Sequence, residues 1–138
     1  MSAEDNKALV GKLYDGFSRG DLEGVMALIA DDAVDHALPP GIPPTKDGIR
    51  QAIGAWLGAF SDLRITPELL VSEGDLVAVH SRVTGRMTGE MMGLSPTGKS
   101  MEITTTEIFR VQDGRLAERW ATEDNLGMFT QLGLQPPA

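Results

Sequence analysis

The hydrophobic period of the chain changes near Leu63. Upstream, apolar side chains recur every three or four residues, the spacing of a helix with one buried face. Downstream they alternate, the spacing of a strand buried on one side. A chain patterned in this way segregates its helices from its strands. It cannot alternate them as βαβ units, so an α+β domain with helices on one face of a curved antiparallel sheet is predicted.

The helical part divides into three. Leu9, Val10, Leu13, Tyr14 and Phe17 mark the first helix, with Ser2 as its cap. Gly20 ends it, and Asp21 starts a second helix through Leu22, Val25, Met26, Leu28 and Ile29. The segment DDAVDHALPPGIPPTKDG holds four prolines and a glycine between Pro39 and Pro44 and reads as an irregular, stiff loop. A third helix is predicted from about Lys46 to Phe60, with Ile49, Ile53, Trp56, Leu57 and Phe60 on one face.

RITPELLV, DLVAVHSRVTGRM, KSMEITTTEIFRV and GRLAERWAT then read as strands. Gly74-Asp75 and Asp113-Gly114 are turn signals between them. A short helix over Asn125 to Gln131 closes the chain. Alternation predicts three inward rows: Val77, Val79, Ser81, Val83 and Met87; Met101, Ile103, Thr105, Glu107 and Phe109; Leu116, Glu118, Trp120, Thr122 and Asp124. Glu107, Glu118 and Asp124 interrupt otherwise apolar faces. A sealed core rarely tolerates three carboxylates, whereas a sheet curled around a cavity can hydrate or pair them.

The totals narrow the function. The 138 residues suit one domain, and no linker or repeat divides residues 1–138. Twenty acids against twelve bases give a formal net charge of -8, which disfavours nucleic acid and anionic membranes as partners. There is no cysteine, so disulfides, thiol nucleophiles and thiolate metal sites are excluded. The N-terminus lacks a signal-peptide pattern and no apolar run is long enough to span a bilayer, so a cytoplasmic protein is expected.

GLSPTGKS, Gly93 to Ser100, matches the phosphate-loop pattern letter for letter. That chemistry needs a helix immediately after the loop, to point backbone donors at the phosphates. MEITTTEIF follows instead, a strand-like run, and Pro96 removes one donor. A hairpin turn without nucleotide binding is expected.

Two histidines are present. His80 alternates with an apolar face and reads as an outward strand residue. His36 precedes the proline loop and could orient a substrate carbonyl. Neither belongs to a metal-ligand spacing, so no metal is expected. No G-x-S-x-G elbow supports a serine hydrolase. Carboxylate chemistry in an apolar cavity remains, since burial raises a carboxyl pKa toward neutrality. Asp124, at the end of the last strand, is placed either to cap the last helix or to transfer protons.

VDHALPPG, EGDLVAVHSRVTGRMTGEMMGLSPTGK and EIFRVQDGRLAERWATEDNLGMFTQLG together resemble the SnoaL-like polyketide cyclases of the nuclear transport factor two-like superfamily. The resemblance covers nearly the whole chain, as a single domain. It implies a cone-shaped α+β barrel, a curved antiparallel sheet closed by N-terminal helices around one pocket. It implies ring closure by intramolecular aldol condensation without metal or organic cofactor, with the acid/base aspartate of W-x-x-x-D falling on Asp124. His36 and Glu107 would share the substrate's hydrogen bonds. Tyr14, Phe17, Trp56, Met87, Phe109 and Trp120 would form apolar walls. Met87 departs from the family pattern, standing in GRMTG where many relatives carry histidine. An epoxide or ester hydrolase, and a non-catalytic ligand-binding or dimerising domain, are the rival readings on the same fold. A homodimer through the outer sheet face is expected, with a small apolar molecule as the partner of the pocket.

Overall fold

The computed structural model of the chain describes residues 2–135. Helix α1 spans Ala3–Ser18, α2 Leu22–Met26, α3 Lys46–Ala59 and α4 Asn125–Leu132. Strand β1 is Ile29–Asp35, β2 Arg64–Glu73, β3 Leu76–Arg86, β4 Ser100–Gln112 and β5 Arg115–Glu123. They form one sheet in the order β1-β5-β4-β3-β2.

Local chemistry explains most boundaries. Ser2 accepts from the Asp5 amide and the Asp5 carboxylate accepts from Ser2, a reciprocal cap that starts α1. Asp113 and Gly114 both adopt positive φ, at 52° and 75°, which suits the tight turn joining β4 to β5. β2, β3, β4 and β5 form an antiparallel meander. On β3 and β4 the predicted rows face inward: Val77, Val79, Ser81 and Val83 are buried, as are Met101, Ile103, Thr105, Glu107 and Phe109. α1 lies across β2 and β3, α3 against β1, and α4 against β4.

Three expectations need correction. IADDAVD, read as the end of a helix and the start of a loop, is strand β1, and it runs parallel to β5. The sheet is therefore not purely antiparallel. β1 was hidden because it pairs only near its ends and bulges away from β5 between Ile29 and Val34, leaving Asp31 and Asp32 exposed. The second helix stops at Met26, short of Leu28 and Ile29.

The third correction bears on function. Val111 pairs with Leu116, but Arg110 pairs with Glu118, so β5 carries one extra residue at this point. The bulge inverts the alternation beyond it. Leu116 faces the core as predicted. After it, Arg119, Ala121 and Glu123 stand opposite the inward residues Phe109, Glu107 and Thr105. Glu118, Trp120 and Thr122 face outward, opposite Arg110, Ile108 and Thr106.

GLSPTGKS lies in the β3–β4 connection, and strand β4 begins at its last residue. Met91 and Leu94 pair across a turn, and Arg86 Nε donates to the Gly98 carbonyl at 2.7 Å. The helix required for phosphate binding does not follow. Among the described residues no helix is long and apolar enough to cross a membrane.

Candidate active site

The sheet and helices enclose a cavity of about 620 Å³. Its walls are largely apolar, with Phe17 from α1, Trp56 from α3, Phe109 from β4 and Phe129 from α4 among them. The proline loop supplies one side through Leu38, Pro39, Pro40 and Ile42. Its base is closed where the Asp35 amide donates to the Pro44 carbonyl at 3.0 Å. A volume of this size suits a multi-ring small molecule.

One polar cluster interrupts the apolar wall, and Arg119 is its centre. Arg119 Nε donates to Glu107 Oε2 at 2.8 Å. Nη1 reaches both oxygens of Asp35, at 3.2 and 3.0 Å, and Nη2 lies 3.3 Å from Glu123 Oε1. Tyr14 donates its hydroxyl to Glu107 Oε1 at 2.7 Å. Asp35, 2% exposed, also accepts the Ala37 amide at 2.8 Å. Three carboxylates thus share one guanidinium, a formal excess of negative charge inside an apolar chamber.

The consequences for protonation follow. Burial lowers the affinity of Arg119 for its proton, but Glu107 and Asp35 outweigh burial and hold the guanidinium above its ordinary range. Tyr14 is raised by burial and then by Glu107, so it remains a neutral donor. Glu123 is raised, first by burial and further by Glu107 and Asp35, against the opposing pull of Arg119. Its side chain keeps partial access to solvent, and its one hydrogen bond among the described residues is the long one to Arg119. Glu123 is therefore the carboxyl of this cluster that the surroundings push toward its protonated form, as suits a group that exchanges a proton.

The structure brings together only some of the residues singled out from sequence. Tyr14, Phe17, Trp56, Glu107 and Phe109 line the cavity. Asp124 does not. It is exposed, and its Oδ1 accepts the Gly127 amide at 2.9 Å as the N-cap of α4. The bulge gives the inward position to Glu123, one residue earlier. Met87 is fully buried in a second apolar cluster with Phe60, Met101 and Leu132, and pairs with Phe60. Trp120 lies on the outer face, stacked on His36 with ring centroids 5.1 Å apart. His36 Nε2 is 2.7 Å from Glu118 Oε2, and Arg110 donates to the other oxygen of Glu118 at 3.0 Å. His36 is thus an outer clamp on β5, not a cavity ligand. His80 faces outward as expected, 2.8 Å from Thr106 Oγ1.

Arg119, Asp35 and Glu123 were missed. Strict alternation sent Arg119 and Glu123 outward, and Asp35 was assigned to a loop. The available signal was the crowding of charge in AERWATED, which no single face of a buried strand could absorb. No group of three or more metal-ligating side chains in suitable geometry occurs among the described residues, and the point where the three carboxylates converge is occupied by Arg119.

A helix-lined, curved sheet around a deep apolar chamber with an acidic cluster in its wall defines a cone-shaped α+β fold of the nuclear transport factor two-like kind. The family model for the SnoaL-like polyketide cyclases matches residues 7–132, and the chain belongs to that family. Among solved structures it is similar to wild-type IdmH of Streptomyces antibioticus, to which a polyketide cyclase role is ascribed. The two share 36% identity over 94% of this chain and 99% of that one, with a TM-score of 0.79. TsrD of Streptomyces laurentii shares 25% identity over 98% of this chain and 99% of its own, with a TM-score of 0.87. AclR of Streptomyces galilaeus, to which a hydroxylase role is ascribed, shares 27% identity over 98% and 100%, with a TM-score of 0.86. No curated protein is significantly similar to the chain in sequence.

Proposed function

We propose that this chain is a cofactor-independent acid/base enzyme acting on an apolar, carbonyl-bearing small molecule of polyketide type. Ring closure by intramolecular aldol condensation is the reaction that fits best. The observation that carries this reading is the inward position and raised proton affinity of Glu123 in a chamber that is otherwise apolar. As carboxylate, Glu123 takes a proton from the carbon beside a carbonyl. The resulting enolate attacks a second carbonyl carbon of the same molecule. The new alkoxide then receives the proton back from Glu123. Arg119 fixes the carboxyl in place, and Asp35 and Glu107 hold Arg119. Tyr14 keeps Glu107 oriented. Asp124 is assigned the cap of α4. A cytoplasmic homodimer, associating through the outer sheet face, completes the reading.

Turnover on a panel of linear and partly cyclised polyketide ketones tests it. Glu123→Gln is expected to lose about 100-fold or more while folding normally, because an amide cannot exchange the proton. Asp124→Asn is expected to retain turnover, since asparagine caps a helix as well as aspartate. The reverse pattern would return the acid/base role to Asp124.

One observation favours a hydrolase as the second reading. Arg119 is paired with Asp35 on one side and Glu123 on the other, a set able to orient a water against an epoxide or ester. Incorporation of labelled oxygen from water into product would establish hydrolysis. Its absence from a cyclised product would establish condensation.

A further inference from the structure

Thr105 is an unexplained buried group in the cavity wall. It lies on the inward face of β4, is 7% exposed and lines the chamber. Its Oγ1 has no hydrogen-bond partner among the described residues. The Ser81 hydroxyl, its cross-strand neighbour on β3, is likewise buried and unpartnered. Hydroxyls buried in this way usually have a partner, because leaving one unpaired is costly. Glu107, the inward carboxylate two residues along the same strand, accepts from Tyr14 and Arg119 and not from Thr105.

The register gives the hydroxyl a purpose. Thr105 stands directly opposite Glu123 on β5. Inward side chains at opposed positions begin roughly 5 Å apart, the span of one small functional group. A carbonyl and its adjacent carbon fit that span, with the oxygen at Thr105 and the carbon hydrogen at Glu123.

We propose that Thr105 is the carbonyl-binding residue of this site, donating its hydroxyl to the oxygen that becomes the enolate. The assignment rests on the acid/base reading of Glu123. The Glu123 carboxylate removes the hydrogen as a proton. The C–H bonding pair becomes the carbon–carbon double bond, and the carbonyl π pair moves onto oxygen. The Thr105 O–H strengthens its hydrogen bond to that oxygen and keeps its proton. The ligand class is therefore a neutral ketone with an enolisable position, carried on an apolar body.

The test uses the whole protein and two probes of matched shape, 2-acetylnaphthalene and 2-isopropenylnaphthalene, followed by tryptophan fluorescence. Wild type should bind the ketone about 10-fold more tightly than the hydrocarbon, the upper range for one neutral hydrogen bond. Thr105→Val, close in shape but lacking the hydroxyl, should remove that preference by weakening the ketone alone. Thr105→Ser should restore it. The stretching frequency of the bound carbonyl should fall in wild type and Thr105→Ser but not in Thr105→Val. A preference that survives Thr105→Val, equal weakening of both probes, or no preference in wild type would overturn the proposal. Undiminished turnover in Glu123→Gln would instead defeat the acid/base reading, whatever the probes show.

Discussion

At the residue scale, the distinction between Glu123 and Asp124 decides the chemistry. Both are acids at the end of β5, one residue apart. One carboxyl is turned into the cavity and the other onto the Gly127 amide. A Cβ on Gly127 would strike the Asp124 carboxyl, so Gly127 is what lets the cap close tightly. Asp124→Ala should cost about 1 kcal/mol, read by denaturant melting, with turnover retained. Glu123 predicts a pH signature. Its proton affinity is higher in the folded protein than in the unfolded chain. Between the ordinary carboxyl value and the raised one, the folded state holds a proton that the unfolded state has released. Stability therefore falls as pH rises through that window. Glu123→Gln cannot titrate, so its melting temperature should gain on wild type across the same window and then run parallel. Melts at stepped pH check this, and a constant difference at all pH values would contradict it. Neither the pairing nor the inward turn of Glu123 was legible in the letters ED. The capping role of Asp124 was legible, from the helix that follows it.

At the element scale, the site hangs on the junction of β1 and β5. Asp35 and Arg119 face inward at matched register and form an ion pair whose carboxylate is buried. Directly behind, His36 and Trp120 stack on the outer face, and the His36 amide donates to the Arg119 carbonyl at 2.9 Å. Arg119→Met should be severe, because it strands Asp35, Glu107 and Glu123 beside one another. Loss of a buried ionic partner costs on the order of 3–5 kcal/mol. The deficit should be greatest at neutral and alkaline pH and shrink on acidification, as the stranded carboxyls take up protons. A deficit independent of pH would show that packing, not charge, is the contribution of Arg119. Strands β2 to β5 and helices α1, α3 and α4 were legible in extent, and β3 and β4 also in facing, because these two pair without a break in register. β1 was not, since it touches β5 only near its ends and carries acids where it bulges. The inversion on β5 was not legible either, since an inserted residue leaves the apolar pattern plausible in both registers.

At the scale of the whole molecule, the chain places its charge outside and keeps one polar cluster within. The outer sheet face is not fully suited to water. Leu69 and Val71 are 66% and 65% exposed, and Ile108 is half-exposed between them and Trp120. A second copy is the proposed cover for that face, and an aspartate there would oppose it. Wild type should scatter light as a dimer at high micromolar concentration, and Val71→Asp should shift it toward monomer without altering the thermal unfolding cooperativity. A wild-type monomer would sink the idea. The cone and its chamber were legible through the change of period and the family motifs. The contents of the chamber were only half legible, because Tyr14, Phe17, Trp56, Glu107 and Phe109 sit on regular elements, whereas Asp35, Arg119 and Glu123 depend on the irregular pair of strands.

The single extra residue in β5 also sets how this chamber can evolve. Were the same residues paired with β4 without the bulge, β5 would alternate strictly from Leu116 onward. The indole of Trp120 would then turn inward and the charges of Arg119 and Glu123 outward. The bulge, and no substitution at any lining position, therefore decides whether this lining is ionic or aromatic. Relatives of equal length that pair these strands without the bulge would, aligned column by column, have their inward residues matched to outward ones. Their chemistry has to be compared by counting from the bulge.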